Sequence, residues 1–369
     1  MALNNMNYRK HLFLFKYASR LLLSGLGLAF CLVPLPGLSA GREESDLFMA
    51  ACSNLAAKAE QSGSIAVAGK DNWFFLASEL RHLGAGCFWG EAAAGASRAA
   101  SPAAADPLPA ILDFNDQLKK AGVKLIVVPV PPKAAVYPEM LPGLTNLSAA
   151  ARPDKTLREF YALLRAQGVK VLDLAEYFAG NKGDPHGPLF CRTDSHWSGA
   201  GCALAAGRIA QEIKALAGES PGGKIACTGS WQEIEIRGDL LPAGSGADMP
   251  REKIKVRVVA RPLSAGPAAA GRVILLGDSH NLVFHAGDDM HYAGAGLPDQ
   301  LALELGEEVE LVAVRGSGAT PARVNLMRRA KAGKDYWKGK KCVIWCFAAR
   351  EFTESDGWRK VPVVSKETD

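Results

Sequence analysis

Residues 273–280 read Val-Ile-Leu-Leu-Gly-Asp-Ser-His, an apolar run that stops at a glycine and continues into polar residues. A short apolar run bounded by turn residues is typical of a strand that is buried on both faces of a sheet. Gly277 allows a sharp turn at the carboxyl end of this strand. Ligand-binding residues of open α/β sheets collect at that end, so Ser279 is predicted to stand where a ligand binds.

Similar apolar runs lie on both sides of this one along the chain, and segments with helical periodicity separate them. The predicted strands are residues 123–130, 169–174, 309–314 and 342–347, and the predicted helices are residues 45–60, 109–121, 151–167, 199–217 and 321–332. This alternation predicts an α/β fold with a parallel sheet covered by helices on both faces. Period-two alternation at 254–259 predicts a small antiparallel insertion within 230–260. Residues 84–106 are predicted to form a surface loop or loose helix.

The first forty residues differ from the rest of the chain. Four basic residues precede an apolar run at 21–38, and Ala40 follows before a polar stretch. This order predicts a signal peptide over 1–40 cleaved after Ala40, or an uncleaved membrane anchor, and therefore a periplasmic location. No repeat or Gly/Ser linker divides the remainder, so residues 45–369 are predicted to form one catalytic domain.

Composition and charge exclude few classes of function. The chain is 48% hydrophobic and 22% charged, and its formal charge of +5 owes much to the first twenty residues. Beyond them the balance is close to neutral, so no nucleic-acid partner is predicted.

The chain has eight cysteines, of which Cys31 lies in the predicted targeting segment. The other seven are an odd number, so one or two disulfides with at least one free thiol are predicted for an oxidising compartment. Cys342 and Cys346 are not predicted to form a disulfide with each other. They lie four residues apart on one predicted strand, where their Cα atoms are about 13 Å apart, too far for a disulfide. There is no Cys-x-x-Cys, which argues against a zinc ribbon or thioredoxin-like site.

A second polar stretch, Arg-Thr-Asp-Ser-His-Trp, occupies residues 192–197. Asp194 and His196 are two apart, so their side chains leave one face of an extended segment. The carboxylate can hold the imidazole Nδ1–H and leave Nε2 to take a proton from Ser279, which would otherwise be a poor nucleophile. The alternative is that Asp194, Asp278 or Ser279 only caps a following helix.

Two further features bear on the chemistry. Glycines follow the predicted strand at 309–314, so the N–H groups of Ser279, Gly316 and Gly318 are candidates for an oxyanion hole, although a plain turn is equally compatible. A metal site is the main chemical rival, because zinc-competent side chains crowd two short segments. These are His285, Asp288, Asp289 and His291, and Asp184, His186, Asp194 and His196. Neither set has an established metal spacing, so no metal is predicted.

Taken together, the Asp-x-His and Gly-Asp-Ser boxes resemble the SGNH-hydrolase-like polysaccharide O-acetyltransferases of the AlgX/AlgJ type, from alginate biosynthesis. Most SGNH hydrolases carry the Ser first and the Asp-x-x-His last, and the order here is permuted as in this family. Further matching stretches are residues 69–75, 128–133, 137–142 and 343–345, with Arg350 downstream. The resemblance spans roughly residues 65–352, and the box at 192–197 is its most specific part.

The resemblance implies that Asp194, His196 and Ser279 are a catalytic triad that moves acetyl groups onto an exported polysaccharide. No diffusible cofactor is implied. The implied partners are the polysaccharide acceptor, a membrane-bound O-acyltransferase that supplies the acetyl group, and other polysaccharide export proteins. A Cys52–Cys227 disulfide is implied by comparable AlgX-type segments.

The chain also departs from this family. Members often have Thr where this chain has Asp278, which is closer to ordinary SGNH esterases. The chain ends soon after the predicted catalytic domain, which is closer to the AlgJ type than to the AlgX type with its carbohydrate-binding module.

Four side chains are candidates for an acceptor groove: Trp197, Tyr137, Arg315 and Arg350. Aromatic faces stack on sugar rings, and an arginine can pair with a uronate carboxylate. Trp73 and Trp345 are expected in the core. Arg323, like Arg315, could meet an anionic sugar, although exposed arginines are usually only solvated. Two other functions stay open: a carbohydrate acetylesterase with the same triad, and a non-catalytic scaffold of an export complex.

Overall fold

The structure is a computed structural model that describes residues 36–144, 153–217, 225–241, 251–261 and 271–364. Most of the predicted signal peptide or anchor, residues 1–35, lies outside the described residues. Among the helices within these ranges, none combines the length and apolar character needed to cross a membrane.

Short strands alternate with helices along most of the chain, as predicted. The strands are β1 (Ala66–Ala68), β2 (Phe74–Leu76), β3 (Lys124–Val130), β4 (Lys170–Val171), β5 (Thr228–Ile236), β6 (Glu252–Ala260), β7 (Val273–Gly277), β8 (Val309–Ala313) and β9 (Cys342–Ala348). The helices are α1 (Pro36–Ser62), α2 (Ala77–Gly84), α3 (Ala93–Ala96), α4 (Leu108–Lys120), α5 (Lys133–Val136), α6 (Lys155–Ala166), α7 (Ala175–Gly180), α8 (Gly199–Ala217), α9 (Leu297–Leu305), α10 (Thr320–Ala332) and α11 (Glu351–Glu354).

Five strands form a parallel sheet in the order β4-β3-β9-β7-β8. Every residue of β7 and β9 is buried, which is why their sequences are continuously apolar rather than alternating. Gly277 of β7 is paired with Cys346 of β9, and Val130 of β3 is paired with Ala348. The carboxyl ends of the three central strands therefore meet at one edge, and the predicted α/β fold is confirmed.

The predicted antiparallel insertion is confirmed as a hairpin of β5 and β6. It packs against the start of α8 so closely that a Cβ at Gly199 would lie 2.2 Å from the Lys255 carbonyl oxygen. The end of β5 also approaches the 192–197 segment, since a Cβ at Gly238 would lie 1.9 Å from the Thr193 oxygen. The hairpin is therefore placed against the residues that carry the predicted chemistry.

The structure differs from the predictions at several places, of which three are informative. The strand predicted at 169–174 is only two residues long, because the Asp173 carboxylate accepts the N–H of Ala175 and starts α7. Helix α9 was not predicted, since its polar Asp299 and Gln300 are buried with its leucines and no polar face marks it. Residues 84–106 are not a plain surface loop, because Phe88 is buried against Phe160 at 4.9 Å.

The disulfide predictions are wrong. All seven cysteines within the described ranges are free. Cys52 is fully buried in α1 near the Glu79 carboxyl group, whereas Cys227 is half-buried before β5 with Arg261 as a neighbour. The predicted Cys52–Cys227 disulfide is therefore absent from the structure, in which the two thiols have different charged neighbours.

Candidate active site

Ser279 lies two residues beyond β7, at the first position of a 3-10 turn. A Cβ at Gly277 would come within 1.6 Å of the Cys346 carbonyl oxygen, so only glycine lets β7 lie this close to β9 before the turn. The buried Asp278 carboxylate accepts the N–H groups of His280 (3.0 Å) and Ala348 (2.7 Å). These bonds fix the turn to β9 and leave Ser279 at the sheet edge, 8% exposed.

The structure brings together the three residues predicted as a triad. His196 Nε2 lies 2.8 Å from Ser279 Oγ, and His196 Nδ1 lies 2.7 Å from Asp194 Oδ1. An ionised carboxylate can accept a hydrogen bond but cannot donate one, so the proton of the neutral imidazole is assigned to Nδ1. Nε2 is then left to accept a hydrogen bond from the serine hydroxyl. This is the geometry that a general base needs toward a nucleophile.

The electrostatics of the pair favour the same roles. Burial alone would raise the pKa of Asp194, but hydrogen bonds from His196 and His291 outweigh it and hold that pKa well below its usual range. Burial alone would lower the pKa of His196, but the hydrogen bond and charge of Asp194 outweigh it and raise that pKa. The carboxylate therefore stays ionised, and the imidazole is a stronger base than an isolated histidine.

The second oxygen of Asp194 also has partners. Asp194 Oδ2 accepts the His291 Nε2–H at 2.9 Å and the Asp239 backbone N–H at 3.1 Å. Neither contact was predicted. The only sequence signal for His291 was its place in a histidine- and aspartate-rich segment, which was considered as a metal site.

The two candidate metal clusters do not assemble. His285 pairs with Asp299 at 2.7 Å, and the His186 ring stacks on Trp231 with 3.7 Å between centroids. Ligand-type atoms of Asp194, His196 and Asp239 do lie within 4.8 Å of one another. A cation held there would have to displace the hydrogen bond between His196 and Asp194.

Residues from other elements hold the backbone of the 192–197 segment in place. The buried Lys133 Nζ donates to the Asp194 carbonyl oxygen at 2.6 Å and to the Phe74 oxygen at 2.8 Å. The Glu252 carboxylate, at the start of β6, accepts the N–H of Arg192 (2.7 Å) and both the N–H (2.8 Å) and hydroxyl (2.7 Å) of Thr193. The hairpin therefore acts as a clamp on the segment that carries Asp194 and His196.

Two more charged groups lie near the triad. The Arg350 guanidinium follows β9, and its charge lowers the pKa of Asp278 and opposes the raised pKa of His196. Its Nη1 is buried and has no hydrogen-bond partner among the described residues. Burial, followed by the charge of Asp278, raises the pKa of Glu351 to about 7, and this carboxyl group accepts the Ser317 hydroxyl.

Two of the predicted oxyanion-hole residues, Ser279 and Gly318, lie on adjoining turns. A Cβ at Gly318 would be 3.0 Å from the Asp278 nitrogen and 2.7 Å from Phe347 Cβ, so glycine is required for this turn to lie against the Ser279 turn. Gly316 has a φ of +93°, which also favours glycine. Within the described ranges, the N–H groups of Ser279 and Gly318 donate no hydrogen bond. The oxyanion hole itself stays a prediction.

The aromatic groove candidates are wrong. Trp197 is fully buried with its ring edge against His280, and Tyr137 is buried with its hydroxyl accepting the Leu189 N–H at 2.9 Å. Both rings fill the core, as Trp73 and Trp345 were expected to do. Arg323 is buried as well, 5.0 Å from the Trp345 ring centroid, rather than solvated.

Of the two arginines predicted to meet a substrate, Arg315 is exposed and pairs with Asp289 at 2.7 Å. Its role and that of Arg350 stay predictions. An open cleft that was not predicted lies between the hairpin and the 186–193 segment, with a volume of about 370 Å³. Arg192, Thr193 and Lys255 are among its lining residues, so it adjoins the segment of the triad.

Comparisons with known proteins agree with this geometry. A family model described as the SGNH hydrolase-like domain of the acetyltransferase AlgX matches residues 66–349. The probable alginate O-acetylase AlgJ of Pseudomonas aeruginosa is 30% identical over 148 residues, which are 40% of this chain and 33% of the relative. The chain thus spans about a third of the length of the curated relatives it matches.

Two solved structures have the same fold. The O-acetyltransferase domain of Pseudomonas putida AlgJ has a TM-score of 0.54 and 21% identity, covering 78% of this chain and 92% of that domain. Pseudomonas aeruginosa AlgX has a TM-score of 0.54 and 17% identity, covering 77% of this chain and 62% of AlgX. At this level of identity the likeness establishes the fold.

Proposed function

Because the chain belongs to the AlgX-type SGNH hydrolase-like family, we propose that it is an O-acetyltransferase that acts through an acetyl-Ser279 intermediate. One observation carries the proposal. His196 lies 2.8 Å from the Ser279 hydroxyl and 2.7 Å from Asp194, on the edge of the sheet where ligands bind. Asp194, His196 and Ser279 are the proposed catalytic residues.

In the first half-reaction, Ser279 Oγ attacks the carbonyl carbon of a donor acetyl group, and its proton passes to His196 Nε2. Asp194 stabilises the imidazolium that forms. The N–H groups of Ser279 and Gly318 are the proposed donors to the tetrahedral oxyanion. The bond to the donor's leaving atom then breaks, and that atom takes the proton from His196, which leaves acetyl-Ser279.

In the second half-reaction, an acceptor hydroxyl gives its proton to His196 and attacks the acetyl carbon. Ser279 leaves as its hydroxyl, with the proton returned by His196, and an O-acetyl ester is released. Water at about 55 M competes for the same intermediate, so a transferase has to hold the acceptor at high effective molarity.

The proposed acceptor is an exported polysaccharide of the alginate type, since the curated relatives are named as alginate O-acetylases. A membrane-bound O-acyltransferase is the proposed acetyl donor, because acetyl-CoA is absent outside the cytoplasm, and other polysaccharide export proteins are further proposed partners. The proposed location is the periplasm, which rests on the signal-like sequence of residues 1–40.

An acetylesterase is the second candidate. The observation that favours it is that Ser279 and His196 each keep 8% exposure, so water can reach the acetyl-enzyme. Asp278, where family members often have Thr, does not favour an esterase further. Its carboxylate is fully buried and accepts the N–H groups of Ala348 and His280 rather than facing a ligand.

The deciding experiment supplies an acetyl ester and a mixture of mannuronate and cello-oligosaccharides to the protein. A transferase yields oligosaccharides heavier by about 42 Da per acetyl group in the mass spectrum, and free acetate falls as glycan is added. Ser279→Ala is the control for uncatalysed transfer. Fast hydrolysis with no acetylated sugar would make the protein an esterase, and loss of neither activity in Ser279→Ala would reject the triad.

A further inference from the structure

The loop from Phe284 to Ala295 has an unusual backbone. Three of its non-glycine residues adopt a positive φ: Phe284 at +60°, Asp288 at +48° and His291 at +70°. Such conformations cost free energy for side chains with a Cβ and persist where other contacts require them. In this conformation His291 forms a side-chain hydrogen bond with Asp194.

His291 reaches the triad from outside the 192–197 segment. Its Nε2 lies 2.9 Å from Asp194 Oδ2, its ring is largely buried, and the Phe284 ring centroid lies 6.1 Å away. Asp194 thus accepts four N–H groups: the side chain and backbone of His196 at Oδ1, and His291 and Asp239 at Oδ2. A buried carboxylate with four donors has its orientation fully determined.

We propose that His291 is a positioning residue that fixes the Asp194 carboxylate and so orients His196 toward Ser279. The proposal rests on the proposed function only in that Ser279 is the nucleophile. Without the His291 donor, Oδ2 keeps only the backbone N–H of Asp239, so the Asp194 carboxylate, still bonded to Nδ1 of His196, no longer holds the imidazole in one orientation toward Ser279.

The second effect is electrostatic. An N–H dipole that points at Oδ2 draws electron density away from the carboxylate, so it weakens the attraction between Asp194 and a charged His196. Removal of that dipole leaves the charge of Asp194 more available to the imidazolium, so the pKa of His196 should rise further. A residue that only filled space in the loop would not change this pKa.

Other charged groups near His291 are few. Asp239 contributes its backbone N–H to Oδ2, and its own carboxylate is occupied by the N–H and hydroxyl of Ser195 at 2.6 Å each. On the same loop, Asp289 is paired with Arg315, and Asp288 is exposed. None of these side chains forms a hydrogen bond or ion pair with His291 within the ranges that the structure describes, so a variant at His291 tests its contact with Asp194.

The test uses three variants of the full chain: His291→Leu, His291→Gln and His285→Gln. The glutamine at 291 retains a side-chain N–H donor, whereas leucine does not. His285→Gln is the matched control, since His285 belongs to the same loop and also pairs with an aspartate, Asp299 at 2.7 Å, but not with Asp194. The rate of Ser279 labelling by a fluorophosphonate is measured against pH, together with the His196 titration by NMR of ¹⁵N-histidine-labelled protein.

His291→Leu should label about tenfold more slowly on the pH plateau, with the acidic limb and the His196 pKa both moved to higher pH. His291→Gln should recover most of the rate, and His285→Gln should match the wild type. An unchanged rate and unchanged His196 titration in His291→Leu would overturn the proposal, as would equal slowing by His285→Gln. If the wild type does not label but the titration still moves, the positioning role stands and the proposed function fails.

Discussion

Lys133 Nζ donates a hydrogen bond of 2.6 Å to the carbonyl oxygen of Asp194, and the lysine is almost fully buried. The same ammonium group bonds the Phe74 carbonyl oxygen, and the Lys133 N–H bonds the buried Glu79 carboxylate at 2.9 Å. One residue just beyond β3 therefore connects α2 through its backbone N–H, and β2 and the segment that carries the proposed triad through its side chain.

We expect Lys133→Met to lower kcat for an acetyl ester about ten- to a hundredfold and to destabilise the fold by about 2–3 kcal/mol, because two buried carbonyl groups lose their donor. Thermal unfolding and ester hydrolysis measure the two effects. Lys182→Met is the control, since that lysine lies near the surface and pairs with Glu139. Equal kinetics for both variants would show that the contact with Asp194 has no part in orienting it.

Ser279→Ala and His196→Ala should each reduce turnover of an acetyl ester by about three orders of magnitude or more, since a serine without its base is a poor nucleophile. A fluorophosphonate should modify Ser279 in the wild type, with the adduct located by peptide mass mapping. Folded variants that keep near-wild-type turnover, or labelling that persists in Ser279→Ala, would mean that another residue is the nucleophile.

The hydrogen bonds from the 192–197 segment to Glu252 of the hairpin predict that Glu252 affects kcat. Glu252→Ala removes the acceptor for three donors of Arg192 and Thr193, so kcat should fall about tenfold or more with little change in KM. Glu233→Ala on the paired strand is the control, because its carboxylate is exposed and pairs with Lys253 at 3.7 Å rather than with the triad segment. A drop shared by both variants would indicate general damage to the hairpin.

Glu351 predicts a pH-dependent stability. Its pKa is raised from 4.5 to about 7 in the folded protein, so the folded state binds more protons than the unfolded chain between these values. Stability is then fully present below about pH 4.5 and is lost as the pH rises through 7. We expect Glu351→Gln to be more stable than the wild type by up to about 3 kcal/mol at pH 8 and little different at pH 4.5. Denaturant unfolding at the two pH values measures this, and a pH-independent difference would contradict it.

The cleft between the hairpin and the 186–193 segment predicts an effect on binding of the acceptor, without an effect on hydrolysis of a small ester. The Arg192 side chain is exposed in this cleft, so Arg192→Gln should raise KM for uronate oligosaccharides about tenfold while hydrolysis of a small acetyl ester stays unchanged. Lys119→Gln on α4 gives the control for a lost surface charge. An unchanged KM for uronate oligosaccharides, or an equal rise in KM for neutral cello-oligosaccharides, would show that Arg192 does not recognise a carboxylate.

The parts of the site that depend on local sequence were predictable. Asp194 and His196 are two residues apart, and Ser279 follows an apolar strand and a glycine, so spacing made them candidates and the family resemblance implied their roles. Lys133, Glu252 and His291 were not found, because they meet the triad segment across separations of 61, 59 and 97 residues. Contacts of that kind depend on how the hairpin and loops pack.

The prediction that Trp197 and Tyr137 line an acceptor groove was wrong for a different reason. Trp197 and Tyr137 stand at the edge of the sheet in the sequence pattern, and an aromatic ring there can face either a ligand or the core. Tyr137 lies in the core because its hydroxyl accepts the Leu189 N–H, and Trp197 lies there because its ring contacts His280. Neither contact is visible in composition or period.

The last strand in the part of the chain that the structure describes, β9, lies in the centre of the five-stranded sheet, with β3 and β4 on one side and β7 and β8 on the other. Until residues 342–348 have left the ribosome, the other four described strands of this sheet form two separate pairs, β3 with β4 and β7 with β8, so the inner edges of β3 and β7 stay unpaired and open to aggregation. Lys133 anchors Asp194 on the β3 side, and Ser279 belongs to the β7 side. The sheet therefore closes only after synthesis has passed β9, and a ribosome that stalls earlier releases an inactive chain with exposed strand edges that chaperones and proteases recognise.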